Sequence, residues 1–188
     1  MKKFFIFTLL MLVGVTAFAA ESAEWFAKYF PEELVNAEGK KFETASLLKG
    51  KMVAVYFSAS WCPPCRKFTP ELVKFYKKVA KKSNLEIVFV SSDRDEKSMN
   101  AYLKKMPWYA IPFGDAKKPV LARELQVRGI PTLAVFDANG KLITKNGRAD
   151  VMRFKNRAAE EWSQHNVASE SGKSAKKSKK SEKKSEKQ

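Results

Sequence analysis

The sequence predicts an α/β domain built on a central mixed β-sheet with helices on both of its faces. Two nearly continuous apolar runs, Met52–Ser58 and Leu85–Val90, are typical of strands that are buried on both sides. Between them, apolar residues recur every three or four positions, which indicates the buried face of a helix. Turn residues at Asp137–Gly140 then introduce a late hairpin, so antiparallel strands must join the sheet.

Each further element follows from a local pattern. The helix between the two buried strands has its apolar stripe at Phe68, Leu72, Phe75 and Val79. In chain order, the remaining predicted elements are a short amphipathic segment at Glu24–Phe30, an edge hairpin from Leu34 to Phe42, helices at Ser98–Met106 and Pro119–Val127, strands at Thr132–Phe136 and Lys141–Thr144, and a last helix that is capped by Asp150 and carries Val151, Phe154, Ala158 and Trp162 on one face.

The 188-residue chain carries 36 Lys and Arg against 20 Asp and Glu, which gives a formal net charge of +16. Part of this excess lies at the ends, because residues 169–188 hold eight Lys against three Glu, and Lys2 and Lys3 stand at the start. No nucleic-acid-binding motif organises the rest, so we expect no specific nucleic acid partner. The length permits one core of ordinary size.

The two ends of the chain differ from its middle. Residues 1–19 predict a cleaved secretory signal peptide, since two lysines precede an uncharged run that ends in the small-x-small pattern of Ala17–Ala19. An uncleaved anchor helix is the alternative, but the most apolar stretch, Phe4–Val13, is short for a span of about 20 residues. We therefore expect a folded domain at 20–168 and a disordered Lys/Ser/Glu-rich tail at 169–188.

The only two cysteines, Cys62 and Cys65, follow the first buried strand directly and begin the next helix. Unpaired N–H groups and the helix dipole favour a thiolate there, and cysteines in such motifs have pKa values of about 3.5 to 7.5. We expect Cys62 to be the nucleophile that attacks a disulfide and Cys65 to be the resolving thiol. Pro63 and Pro64 shape the site, since Pro64 suits the first helical turn and holds the two sulfurs in range.

Three other roles for the cysteine pair stay open. A structural disulfide would close so small a loop that it adds little stability. A zinc site would need about two more nitrogen or sulfur ligands, and the only histidine, His165, lies far away in sequence. A degenerate, inactive site is the third alternative, and the presence of both sulfurs speaks against it. We expect no metal, and no cofactor beyond a redox-active Cys62–Cys65 disulfide.

The segment Tyr56–Arg66, which reads YFSASWCPPCR, together with Phe68–Pro70 resembles the active-site segment of the thioredoxin superfamily, in particular its tryparedoxin and nucleoredoxin branch. The resemblance continues through Lys105–Trp108, Ile111–Phe113 and Gly129–Leu133 and covers the chain from about Leu34 to Arg148. It implies a thioredoxin fold. It further implies that Pro131 is a cis-proline that faces the dithiol, with Ile130 before it, and that Trp61 shields the disulfide.

The chain also departs from the family pattern at two places. Many thioredoxins have a buried acidic residue six positions before the nucleophilic cysteine, where this chain has Tyr56, as in the tryparedoxin branch. Proton exchange at Cys65 therefore needs another group or water. Where tryparedoxins have Trp-Asp after the next strand, this chain has Ser92-Asp93.

We expect an exported thiol:disulfide oxidoreductase, located in a bacterial periplasm, that reduces protein disulfides. Its partners would be protein or small-molecule disulfides and thiols, and a redox partner that supplies or accepts electrons; the chain itself would be a monomer. A thiol oxidase or isomerase in the same compartment is one alternative. A non-catalytic envelope-binding protein is another, in which the basic tail contacts anionic envelope components by charge.

Overall fold

A mixed β-sheet of seven strands forms the centre of the protein, whose computed structural model describes Trp25 and residues 27–164. The strands lie side by side in the order β2-β1-β5-β4-β3-β6-β7. Their bounds are β1 Glu33–Val35, β2 Lys41–Glu43, β3 Met52–Ser58, β4 Leu85–Ser91, β5 Tyr109–Ala110, β6 Thr132–Phe136 and β7 Leu142–Thr144.

Strands β3 and β4 lie near the middle of the sheet, which explains their apolar sequences. All seven residues of each strand are buried. The two strands run parallel, with Ser58 opposite Ser91 at their carboxyl ends, and β3 pairs antiparallel with β6 on its other side. A parallel pair needs a crossover connection, which the helix between them supplies. The predicted mixed sheet is therefore confirmed.

The helices whose bounds are defined are α1 Thr44–Leu48, α2 Pro63–Val79, α3 Glu96–Leu103, α4 Lys117–Glu124 and α5 Gly147–Phe154, with a 3-10 turn at Lys155–Arg157. Residues 158–164 are also helical. The crossover helix α2 begins with Pro63, whose missing N–H is no loss at a first helical position. Pro70 lies inside α2, where its missing N–H removes one backbone hydrogen bond.

Alternate residues of β3 enter two cores, one on each face of the sheet. Ala54 and Tyr56 join a core that includes Leu72 of α2 and Met99 of α3. Val53, Val55 and Phe57 join the other core, which includes Leu48 of α1 and Leu121 of α4. Helices therefore cover both faces, as the sequence predicts, and the carboxyl end of β3 is held firmly from both sides.

The prediction for the last helix is wrong in two respects: the residue at which the helix starts, and its continuity. It begins at Gly147, and Asp150 lies inside its first turn, where the carboxylate accepts a hydrogen bond from Trp162 Nε1 at 3.0 Å. Gly147 permits this start because a Cβ atom there would lie 2.9 Å from the carbonyl oxygen of Leu133. The helix is then interrupted at Lys155, which has a φ of 52°.

Other bounds differ from the predictions for local reasons. Helix α3 begins at Glu96, earlier than predicted, because the carboxylate of Asp95 caps it and accepts from the N–H of Ser98 at 2.7 Å. Helix α4 ends at Glu124, because Gln126 takes a left-handed conformation with a φ of 54°. The short elements α1 and β5 were not predicted.

Three sequence predictions concern residues outside the described part of the chain. They are the signal peptide at 1–19, the tail at 169–188 and the position of His165. Within Trp25 and residues 27–164, no helix combines the length and the apolar character that crossing a membrane requires.

Candidate active site

Cys62 and Cys65 lie where the carboxyl end of β3 passes into α2. They form a disulfide, and their Cα atoms are 5.2 Å apart. Cys62 is the N-cap of α2, and its Sγ lies 3.4 Å from the backbone nitrogen of Cys65, whose N–H points at it. The positive end of the helix dipole therefore faces the Cys62 sulfur, which favours a thiolate there once the disulfide is reduced.

The two cysteines differ in access to solvent. Cys65 is completely buried, whereas Cys62 keeps 3% of its surface exposed, and the neighbouring Pro63 and Pro64 are exposed. Ile130 packs against the pair, and its carbonyl oxygen lies 3.8 Å from Cys62 Sγ. This arrangement lets a substrate sulfur approach Cys62 and keeps Cys65 behind it.

The peptide bond between Ile130 and Pro131 is cis, as the resemblance implies. Pro131 directly precedes β6, which pairs with β3, so the sheet itself brings this segment beside the cysteines. In the reduced state, a Cys62 thiol at this position can donate a hydrogen bond to the Ile130 carbonyl.

Trp61 is the most exposed large apolar side chain among the described residues, with 52% of its surface accessible. Its indole Nε1 donates to the carbonyl oxygen of Ser92 at 3.2 Å, which fixes the orientation of the ring. Together with the exposed Pro63 and Pro64 it forms an apolar platform around Cys62. The expected shielding of the disulfide by Trp61 stays a prediction.

A buried carboxylate supports the loop in front of Cys62. Asp93 is 7% exposed, and its Oδ1 accepts from the backbone nitrogen of Ser60 at 2.8 Å and from Ser60 Oγ at 2.7 Å. Its Oδ2 accepts from Ser91 Oγ at 2.8 Å. From the sequence, Asp93 is noted only because it matches the aspartate of the Trp-Asp pair in tryparedoxins. Its contact with Ser60 depends on the parallel register that places Ser58 opposite Ser91.

A partly buried cation lies on the same side of the site. Lys118, near the start of α4, has its Nζ 4.9 Å from the ring centroid of Phe113. Burial lowers the pKa of Lys118, and the negative charges of Asp115 and Asp93 partly oppose that effect. Lys118 therefore supplies positive charge at longer range to the buried Asp93.

Four buried hydroxyl groups lie behind Cys65, on Tyr56, Ser58, Thr69 and Tyr102. Thr69 Oγ1 donates to the carbonyl oxygen of Cys65 at 3.0 Å and lies 2.8 Å from Tyr56 Oη and 2.6 Å from Tyr102 Oη. Ser58 Oγ donates to Tyr56 Oη at 3.0 Å. Burial raises the pKa of the Tyr56 phenol above its ordinary value, so this group is neutral at neutral pH.

The described residues contain no group of three or more His, Cys, Asp and Glu side chains placed to hold a metal ion. Cys62 and Cys65 are bonded to each other. The site therefore holds a disulfide at a helix N-terminus, with the Cys62 sulfur near the surface and the Cys65 sulfur behind it.

Comparison with known proteins places this arrangement in a family. Residues 50–142 match a family model described as Thioredoxin-like. Human nucleoredoxin is 44% identical over 134 residues, which cover 68% of this chain and 31% of that protein. Tryparedoxin from Trypanosoma brucei brucei is 41% identical over 140 residues, which cover 72% of this chain and 96% of that protein.

Solved structures agree with the sequence matches. The crystal structure of native tryparedoxin I from Crithidia fasciculata superimposes with a TM-score of 0.66 at 41% identity, covering 70% of this chain and 93% of that one. The chain spans only 20% to 36% of the length of the curated nucleoredoxins it matches first. The tryparedoxins, in contrast, match over nearly their whole length.

Proposed function

The chain belongs to the thioredoxin superfamily, in its tryparedoxin- and nucleoredoxin-like branch, and we propose that it is a protein-disulfide reductase that works outside the cytoplasm. It has the thioredoxin fold and the cysteine pair of a thiol:disulfide oxidoreductase. The proposal concerns the direction of electron flow, the substrate and the compartment.

The proposed reaction rests on one observation: of the two bonded sulfurs at the start of α2, that of Cys62 lies near the surface and that of Cys65 is completely buried. In the reduced protein, the Cys62 thiolate attacks one sulfur of a substrate disulfide; that S–S bond breaks and one substrate thiolate leaves. The Cys65 sulfur then attacks Cys62, which closes the Cys62–Cys65 bond and releases the second substrate thiolate. Two electrons pass to the substrate, and a redox partner must return two electrons and two protons to the enzyme.

The apolar platform around Cys62 supports a polypeptide substrate. Trp61, Pro63 and Pro64 present exposed apolar surface beside the reactive sulfur, which is suited to a chain segment that flanks a disulfide. The carbonyl oxygen of Ile130 lies 3.8 Å from Cys62 Sγ, where it can accept a hydrogen bond from the backbone N–H of a bound polypeptide. We take protein disulfides as the substrate class for these reasons.

The direction is proposed as reducing because Ile130 precedes the cis-proline and because the branch of the family is tryparedoxin-like. We expect a reduction potential nearer to that of thioredoxin, about −270 mV, than to that of a strong oxidant, about −120 mV. Equilibration of the full chain with glutathione buffers measures it. A value close to the oxidant end would support the thiol oxidase or isomerase instead.

Residues 1–19 support export, and we propose the periplasm of a bacterium as the compartment. Cleavage after Ala19 predicts a mature protein that begins at Ala20. Intact-mass measurement of the exported protein checks this, and a mature chain that still begins at Met1 would contradict it. Salt-sensitive binding to envelope preparations that is lost on truncation at Ser169 would support a role of the basic tail.

The central experiment combines an insulin reduction assay with two reciprocal variants. The Cys62→Ser variant should lose disulfide reduction and form no adduct. The Cys65→Ser variant should lose turnover but accumulate a mixed disulfide through Cys62, which non-reducing electrophoresis and mass spectrometry detect. If Cys62→Ser retains the biological role of the protein, the non-catalytic envelope-binding alternative would replace the reductase.

A further inference from the structure

The segment after β4 is tied to the loop that carries Cys62 by four hydrogen bonds. The backbone nitrogen of Ser92 donates to the carbonyl of Ser58 at 2.9 Å, and the carbonyl of Ser92 accepts from Trp61 Nε1 at 3.2 Å. Asp93 Oδ1 accepts from both the backbone nitrogen and Oγ of Ser60, at 2.8 and 2.7 Å. The loop between β3 and α2 is thus held from one side by two consecutive residues.

The strength of this attachment comes from the buried charge of Asp93. None of the ion pairs among the described residues includes Asp93, and its hydrogen bonds come from the neutral groups of Ser60 and Ser91. A buried carboxylate is costly without donors, and bonds to an ionised acceptor are about twice as strong as neutral ones. Moving Ser60 away would leave Oδ1 without both donors, so Ser60 is held firmly.

Because Ser60 is held in place, the position of Cys62, two residues further along the chain, is restricted as well. The backbone nitrogen of Cys62 donates to the carbonyl of Ala59 at 3.3 Å, which closes a tight turn around Ser60. Cys62 Sγ then lies 3.4 Å from the backbone nitrogen of Cys65 and 3.8 Å from the carbonyl of Ile130. Both are long contacts that a shift of about 1 Å would break, and misplacements of that size can cost about 10²-fold in rate.

We propose that Asp93 is a positioning residue for the reaction of Cys62. Resting on the proposed function, the inference is that the Asp93 carboxylate holds Ser60 and thereby keeps the Cys62 sulfur at the N-terminus of α2, where its thiolate is stabilised. Asp93 acts through Ser60 and not as a reacting group. The partly buried Lys118 interacts with the Asp93 charge at longer range.

The test measures the rate constant for alkylation of Cys62 by iodoacetamide in the full chain with the Cys65→Ser substitution, in which one thiol reacts. Asp93→Ala removes the charge and both bonds to Ser60, and we expect it to slow alkylation about 10- to 100-fold. Asp93→Asn keeps an oxygen that can accept from Ser60, so we expect at least fivefold faster alkylation than in Asp93→Ala. Ser91→Ala is the matched control: it breaks the Oδ2 bond and the bond from the Asp93 backbone nitrogen to Ser91 Oγ, but it leaves both bonds to Ser60 in place. The rate should therefore stay unchanged while the melting temperature falls.

Two results would overturn the proposal. Faster alkylation in both Asp93 variants would show that the carboxylate acts on the thiolate through its charge alone. Unchanged rates in both, with a lowered melting temperature, would show that Asp93 serves stability alone. If Asp93→Ala does not fold, Ser60→Ala provides the second measurement, since it removes one of the two bonds and should slow alkylation by about threefold; an unchanged rate there would count against the proposal.

This experiment is independent of the proposed activity. Alkylation needs no disulfide substrate, so the ranking of the variants can be obtained even if the wild-type chain fails to reduce insulin. Failure of insulin reduction would concern the protein-disulfide reductase alone, whereas an unchanged alkylation rate would concern Asp93 alone.

Discussion

The hydroxyl network behind Cys65 allows an estimate of how much the substitution Thr69→Val changes the free energy of unfolding. Thr69 Oγ1 lies 3.0 Å from the Cys65 carbonyl, 2.8 Å from Tyr56 Oη and 2.6 Å from Tyr102 Oη. A threonine hydroxyl has one proton and two lone pairs. Because its proton goes to the carbonyl, both phenols must donate to it. Valine keeps the shape of threonine but can neither donate nor accept.

The substitution therefore leaves two buried phenol protons without an acceptor. The Cys65 carbonyl can still accept a backbone hydrogen bond within α2, so we do not count it as a loss. Ser58 Oγ lies 3.5 Å from Tyr102 Oη, too far to replace the lost bond without movement. An unsatisfied buried donor costs about 1–3 kcal/mol, so we expect a loss of about 3 kcal/mol in the free energy of unfolding.

Urea unfolding of the oxidised protein measures this loss, provided that the m-value stays the same. Thr69→Ser is the control, because it keeps the hydroxyl group and loses one methyl, which is worth about 0.8 kcal/mol. A double-mutant cycle with Tyr102→Phe tests the proton assignment: this second change should cost about 1 kcal/mol alone, but in the Thr69→Val background it should restore about 1–3 kcal/mol, because it removes one of the two unsatisfied donors. If Thr69→Val lies within about 0.5 kcal/mol of the wild type, the assigned direction of these hydrogen bonds is wrong.

Three further predictions follow from other parts of the structure. Trp61→Ala should slow the reduction of insulin more than that of glutathione disulfide, because a polypeptide loses the apolar platform; equal slowing in the two assays would contradict this. Gly147→Ala should lower the free energy of unfolding by about 1–3 kcal/mol, because the new Cβ would press on the carbonyl of Leu133; unchanged urea unfolding would argue against that contact. Hydrogen bonds from Ser98 lower the pKa of Asp95, so the stabilisation by Asp95 is present above the unfolded-state pKa of about 4 and is lost as the pH falls through the lower folded-state pKa. The melting temperature of Asp95→Ala should therefore lie below that of the wild type at pH 7 and approach it in acid. A constant difference between the two would refute the assignment.

The parts of the fold that the sequence predicts are those whose patterns are local. Strands β3 and β4 are buried on both faces, so their composition alone identifies them. Cys62 and Cys65 are recognised because their spacing and their place between a strand and a helix carry the chemistry. The cis bond at Pro131 came from the family resemblance, and no local pattern would have indicated it.

The parts that the sequence did not predict depend on contacts between distant elements. The start of α5 at Gly147 is set by its close approach to Leu133, which no window of residues around Asp150 contains. The bond between Asp93 and Ser60 requires the register of β3 against β4. A reader of the sequence could have found that bond only by aligning the carboxyl ends of the two parallel strands.

The hydroxyl network changes how the missing buried acid near Cys65 is understood. Tyr56 stands at the family position of that acid, and its phenol stays protonated because burial raises its pKa. The two lone pairs of Thr69 Oγ1 are occupied by the phenol protons of Tyr56 and Tyr102, and its own proton is held by the Cys65 carbonyl. Neutral hydroxyls arranged in this way can fix the backbone of Cys65 but cannot take up its proton. When Cys65 attacks the mixed disulfide, its proton must therefore leave by a route outside the network, and the substrate thiolate released in the first step, with an ordinary pKa of about 8.5, is a base that the reaction itself supplies.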